Sequence, residues 1–375
     1  MIAVNTPDTF DMRNGDSPMQ PPTTTTIGRR SVLTGGLGAG IAAMLSPLLS
    51  ACATRNPGML TIGLALPFQG ASWQTGFLAA ANWAVDQLVR RGRKVSLRVA
   101  DAAGDAQTQI QQVNNFILQG VDFIILEPLS DTALNAAVDN AALAGIPVLS
   151  TALGSITNAK AIDLQFDYDE LGRKYVDYIA ERTGGRGNAL NIRGLAGNAA
   201  EQAIQDAYIR ALKKYPGIKI VSEIFGDWNQ SVAQQRVAAV LPTLPTIDII
   251  FSQGVAASGA AQAFITAGRA VPLQVWGFDG VDVNLLLALN RKSGYRSVAI
   301  NVDPGIGSLA VNIAVAKLSG IDVPMKMTAP IPTLTMATLE SEYRTMADSD
   351  IVWIKYDYDA TIRDVIAPGR QTPSS

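Results

Sequence analysis

The sequence predicts an α/β protein of two Rossmann-like lobes, each built on a parallel sheet. Three observations predict it. Strand-like apolar runs alternate with segments of helical period, one such unit spanning roughly 30 residues. The helical segments stop at glycine, at Gly92, Gly120 and Gly145. After about residue 160 the alternation breaks off and then restarts, so the chain holds two arrays rather than one.

In the first array, "MLTIGLAL" (59–66) is a short apolar strand, and "SWQTGFLAAANWAVDQLVRRG" (72–92) is an amphipathic helix ending at Gly92. "KVSLRVAD" (94–101) alternates as a strand, and "AQTQIQQVNNFILQG" (106–120) is the next helix. "VDFIILEP" (121–128) has the composition of a buried strand. "DTALNAAVDNAALAG" (131–145) reads as a helix capped by Asp131, and "IPVLST" (146–151) as the strand after it. The second array begins with the strand "AIDLQFD" (161–167) and a helix from Asp169 to Arg182. Strands follow at 186–194, 218–226, 247–254 and 273–280, with helices between them. The tail from about Ser349, with "IVWIKYDYD", has no readable role.

Composition narrows the function. The chain has no histidine and one cysteine, Cys52. It therefore lacks the commonest general base and metal ligand, and it has no disulfide framework; no cofactor and no metal are expected. Thirty Lys and Arg against 32 Asp and Glu give a net charge of −2, which leaves no electrostatic footprint for nucleic acid.

The lone cysteine closes a leader-like segment. Arg29 and Arg30 precede an uncharged, Gly/Ala-rich stretch from Ser31 to Ser50. "GRRSVL" resembles the twin-arginine export motif, with Gly28 and Val32 departing from its usual residues. "LSAC" (49–52) resembles the bacterial lipobox at all four positions. That resemblance implies cleavage before Cys52 and acylation of its thiol and amine, which anchors the protein outside the cytoplasmic face of the membrane. The alternative is an uncleaved membrane anchor. Residues 52–375 remain after cleavage, enough for two domains.

In open parallel sheets the ligand sits beyond the carboxyl ends of the strands. The residues there are Phe68 and Gln69, Asp101, Glu127, Thr151, Trp228, Gln253, Asp279 and Asn301. Aromatic rings, amides and carboxylates without lysine or histidine suit a neutral polyhydroxylated ligand. Each hydrogen bond contributes only about 0.5–1.5 kcal/mol net. Micromolar binding, near 8 kcal/mol, therefore requires both lobes to close on the ligand.

At this point the chain resembles the periplasmic sugar-binding proteins of the ribose-binding type, receptors of ABC importers. "GVDFIILEPLSDTALNAAVDNAALAGIPVLS", "NIRGLAGNAAEQAIQDAYIRAL", "VWGFDG" and "SVAINVDPGIGSLAVN" carry the resemblance, over most of 59–340. It implies a type I periplasmic binding fold with a three-segment hinge, crossing near 163–167, 300–303 and 326–330. It implies lobes of 59–165 plus 302–327 and of 166–301 plus 328–345. A signal peptide (1–51) and lipidated tether (52–58) would precede them, and an extension (346–375) would follow. The partners it implies are a small carbohydrate-like ligand and a membrane permease, with the receptor a monomer. The ligand set it implies is Phe68, Gln69, Trp73, Asp101, Gln202, Trp228, Gln253, Asp279 and Asn301.

Structural readings stand beside each. Asp279 is placed to cap the helix near Val281, Asp101 and Asp105 to cap the helix after them, and Trp228 to sit in a surface turn. Phe68 and Trp73 suit packing at the lobe rim, and Glu127 a supporting position. The chain departs from the family where an Asp-Arg pair is expected (Ala152, Leu153), where a helix arginine is expected (Gln202), and where an asparagine is expected (Gly254). Those losses point to a deoxy sugar, a polyol or a furanosyl molecule rather than ribose. Other classes remain open. A ligand-presenting sensor has the same sequence features. A periplasmic carbohydrate-active enzyme would need paired carboxylates, for which Asp101 with Asp279 is the available pair. A transcriptional regulator would need a DNA-binding helix-turn-helix where the leader stands.

Overall fold

The computed structural model describes residues 58–152 and 154–368. Arg29, Arg30, Cys52 and Leu153 lie outside the described residues. The first lobe is a six-stranded sheet ordered β11-β5-β4-β3-β1-β2. Its strands are β1 (Leu60–Leu66), β2 (Val95–Asp101), β3 (Phe123–Leu126), β4 (Val148–Thr151), β5 (Ile162–Phe166) and β11 (Lys326–Ala329), all parallel. The central strands β3 and β4 are buried along their whole length, as expected of a sheet covered on both faces. Helices α1 (Ser72–Arg90) and α9 (Ile306–Leu318) cover one face, and α2 (Ala106–Leu118) and α3 (Asn135–Leu143) the other.

The second lobe repeats the plan. β6 (Arg186–Arg193), β7 (Gly217–Phe225), β8 (Ile249–Ser252) and β9 (Leu273–Gln274) form a parallel sheet ordered β7-β6-β8-β9. A bridge from Trp276 to Ala299 continues it to β10 (Ala299–Ile300), which pairs antiparallel with β12 (Thr333–Leu334). Helices α4 (Tyr168–Thr183), α5 (Ala199–Leu212), α6 (Gln230–Val240), α7 (Ala256–Thr266), α8 (Gly280–Ser293) and α10 (Met336–Glu342) pack around it. The chain passes between the sheets after β5, between β10 and α9, and between β11 and β12.

Close helix packing explains two glycines. A Cβ on Gly307 of α9 would lie 2.2 Å from the Phe77 carbonyl of α1. One on Gly63 would lie 2.7 Å from the Phe116 ring, under α2. The glycine stops hold, with Gly92, Gly120 and Gly145 all at positive φ, where a side chain is costly. The cap assigned to Asp131 is corrected. A turn occupies 131–134, and α3 begins after Leu134 with no side-chain cap. Ser130 Oγ accepts the Ala133 amide there instead.

Candidate functional site between the lobes

Strain gathers at the carboxyl ends of the strands. Among the described residues, four non-glycine residues have positive φ: Ala103 after β2, Ala152 after β4, and Asp227 and Trp228 after β7. Left-handed backbone costs such residues roughly 1–3 kcal/mol each and persists where the surroundings fix it, often at ligand sites.

Trp228 is the clearest case. Its indole lies across two glycines at neighbouring strand ends. A Cβ on Gly194 would be 2.2 Å from Trp228 Nε1, and one on Gly254 would be 3.0 Å from Cδ1. The asparagine missing at Gly254 is thus the side chain that would collide with this ring. A cavity of about 20 Å³, room for one water, lies beside it. Its lining includes Tyr175, Tyr208, Gln253, Gly254 and Asn301.

Asp279 ends the segment after β9 and is 5% exposed. Its backbone stands at the N-cap of α8, yet the side chain makes no cap bond. The carboxylate instead accepts a hydrogen bond from the Ser72 hydroxyl, on the first turn of α1 in the other lobe. Burial pushes Asp279 up to about 6. Asp282, one turn on and fully buried, accepts the amides of Ser258 and Gly277, both at 2.9 Å, and so fixes the approach to Asp279. Burial, with the neighbouring Asp279, raises Asp282 to about 7.

Trp73 joins the same contact zone. Its ring stacks on Phe77 at 5.7 Å, and its indole N–H donates to the Val302 carbonyl at 3.1 Å. Asn301, the residue before, accepts the Val302 amide with its own Oδ1. Trp73, Asp279 and Asn301 therefore meet where α1 faces the second lobe.

Buried side-chain oxygens without a partner occur at several places among the described residues, and two of them follow strands β3 and β8. Gln253, after β8, donates to Glu201 at 3.2 Å, while its Oε1 is unpartnered. Glu127, after β3, is fully buried; Gln74 donates to Oε1 at 3.4 Å and Oε2 has no partner. Burial raises Glu127 to about 8, so at neutral pH the acid holds its proton and can donate. Buried polar atoms without partners are rare, and an absent ligand or water is one reason for them. A supporting position for Glu127 is the expectation from sequence, and the lone acid at an apolar strand end is the sequence signal for its burial. Gln109 secures its loop, donating to the Glu127 carbonyl at 2.7 Å and accepting the Leu129 amide.

The other candidates stay apart. Asp101 is exposed and accepts the Ala103 amide at 2.8 Å, while Asp105 caps α2 through the Gln107 and Thr108 amides. Gln202 is exposed and tied to Arg193 and Asp206. Phe68 is half-buried and Gln69 exposed.

Two parallel sheets with polar and aromatic groups gathered at their carboxyl ends define a two-lobed α/β binding protein. Residues 62–322 match the periplasmic binding protein domain, and the chain belongs to that family. It is 30% identical over 249 residues to a xylitol-binding protein of Mycolicibacterium smegmatis, covering 65% of this chain and 70% of that one. It is 25% identical over 244 residues to a ribose import binding protein of Bacillus subtilis, covering 64% and 77%. The fold matches an ABC transporter solute binding protein from Thermobispora bispora with a TM-score of 0.68 at 26% identity, over 80% of this chain and 93% of that one.

Proposed function

We propose that the chain is an extracytoplasmic solute-binding lipoprotein of an ABC importer. It takes a small neutral sugar or polyol between its lobes and passes it to a membrane permease without turnover. One observation carries this reading. Asp279, buried at a strand end of the second lobe, turns its carboxylate to Ser72 of the first rather than to its own helix. A carboxylate accepts hydrogen bonds from two adjacent hydroxyls, so a ligand diol can take the place of Ser72. Glu127 and Gln74 face the ligand from the first lobe, with Trp73, while Phe68 lies toward the outer edge. Gln253 and Asn301 face it from the second, and Trp228 offers the ring face. Gln69, Asp101 and Gln202 belong to the outer edge of the site. Closure of the lobes excludes water and strengthens each of these bonds. The relative named for xylitol supports a polyol as ligand. The leader of Arg29 and Arg30 and an acylated Cys52 place the receptor at the outer face of the cell membrane.

A thermal-shift panel of xylitol, other pentitols and hexitols, ribose, allose and furanose sugars tests this. A native-state ligand raises the melting temperature by mass action. A rise with at least one member is the expected result, and no rise with any at millimolar concentration contradicts the reading.

A further inference from the structure

The tail beyond α10 runs from one lobe to the other. At its start Asn284 of α8 donates to the Met346 carbonyl and the Asp348 carboxylate, at 3.0 and 2.8 Å. The Gly280 amide donates to the Asp350 carbonyl at 2.7 Å, and the Val352 amide to the Phe278 carbonyl at 2.8 Å. Ile351 thereby bridges antiparallel to Asp279. A Cβ on Gly280 would sit 2.0 Å from the Ala347 carbonyl oxygen, so only glycine lets the tail lie this close. Val352, 1% exposed, belongs to the second lobe's core.

The tail then leaves that lobe. Trp353 meets Trp83 of α1 edge-on at 5.9 Å. The Ile354 amide donates to Asp303, in the segment that crosses between β10 and α9, at 3.1 Å. Beyond it, the Asn312 amide group of α9 donates to the Tyr356 carbonyl at 2.8 Å and to Thr361. Arg91 pairs with Asp359 at 2.8 Å, and Arg93 lies over the Tyr358 ring. Val365 and Ile366 end buried against α9 and β11 of the first lobe.

We propose that 346–366 is a strap, a fourth link between the lobes, which limits how far they part and holds Asp279 toward the first lobe. Its two ends are anchored in different cores, and its middle is bonded to the crossing segment at Asp303. Separation of the lobes must therefore stretch or unseat 353–355. The contacts are the same whichever ligand the cleft takes.

The test uses the full chain with Cys52→Ser, so that spin labels go only to Gln107→Cys on α2 and Ala199→Cys on α5. Both sites are exposed, one on each lobe's helix after a strand end. Electron–electron resonance without ligand is expected to give one narrow distance distribution. Inserting Gly-Ser-Gly-Ser between Val352 and Trp353 adds up to about 14 Å of slack while keeping both anchors. The expected result is a broader distribution shifted to longer distance within that slack, with an unchanged near-ultraviolet circular dichroism spectrum. Trp353→Ala, which removes the contact with Trp83, is expected to shift it the same way by less. An unchanged distribution in both variants, or a parent already broad, overturns the strap.

Discussion

Two buried glutamates, one in each lobe, are handled in opposite ways. Glu127 in the first lobe has no cation near it; Gln74 is its one side-chain partner and Oε2 has none. Glu201 in the second is 1% exposed and takes two bonds from Arg193, at 2.7 and 2.8 Å. Arg193 also reaches Glu223 at 3.2 Å, and its bonds to Glu201 and Glu223 raise the guanidinium above its ordinary value. A paired acid is fixed in place, with both oxygens engaged by the cation. An unpaired acid in the same kind of setting keeps its proton and an open oxygen. The comparison assigns a structural role to Glu201 and leaves Glu127 an open oxygen, the basis of its proposed place facing the ligand.

Breaking the pair tests the structural half and carries the largest effect. Arg193→Met leaves Glu201 buried without its cation, at a cost of about 3–5 kcal/mol. A urea midpoint equal to the parent's would show the pair to be dispensable. Gly194→Ala comes next. The new methyl meets the Trp228 indole and forces ring or backbone to move, costing roughly 1–3 kcal/mol. Ligand affinity is expected to fall with it, and titration of the variant with unchanged affinity would remove Trp228 from the site.

The third effect is on Glu127 and appears only as the pH rises. Its pKa in the fold, about 8, lies above the ~4.3 of an unfolded glutamate. Between those values the native state holds a proton that the unfolded state has released, so stability falls as pH rises from about 5 to 8. Glu127→Gln keeps the shape and removes the ionisation. Its advantage over the parent is expected to grow by roughly 3–4 kcal/mol between pH 5 and pH 8. Denaturation curves at the two pH values decide this, and equal differences at both would contradict the buried neutral acid. The raised Asp279, Asp282 and Asp303 leave the variant a residual slope of the same sign.

Much of the fold was legible because it rests on local periodicity. β1 reads as an apolar run, and Gly92, Gly120 and Gly145 mark helix ends through their backbone conformation. The candidate site was legible in residue type at strand ends, which brought Asp279 and Asn301 forward, while Trp73 entered through the family resemblance. What it lacked was side-chain direction. Asp279 suited a helix cap but bonds Ser72, 207 residues away in sequence, which no local pattern contains, while Asp101 suited a ligand group but accepts the amide of its own neighbour Ala103. Gly254 reads as a lost binding group until Trp228 is seen above it. The tail was opaque for the same reason, since its partners lie on α1, α8 and α9, far off in sequence.

The most direct measurement is calorimetric titration of xylitol, or of the panel member with the largest thermal shift, into the parent and Asp279→Ala at pH 7.5. The variant loses a carboxylate that reaches across the lobes, so its affinity is expected to fall about 30-fold, roughly 2 kcal/mol. Equal affinity in the two proteins would contradict a ligand held between the lobes by Asp279.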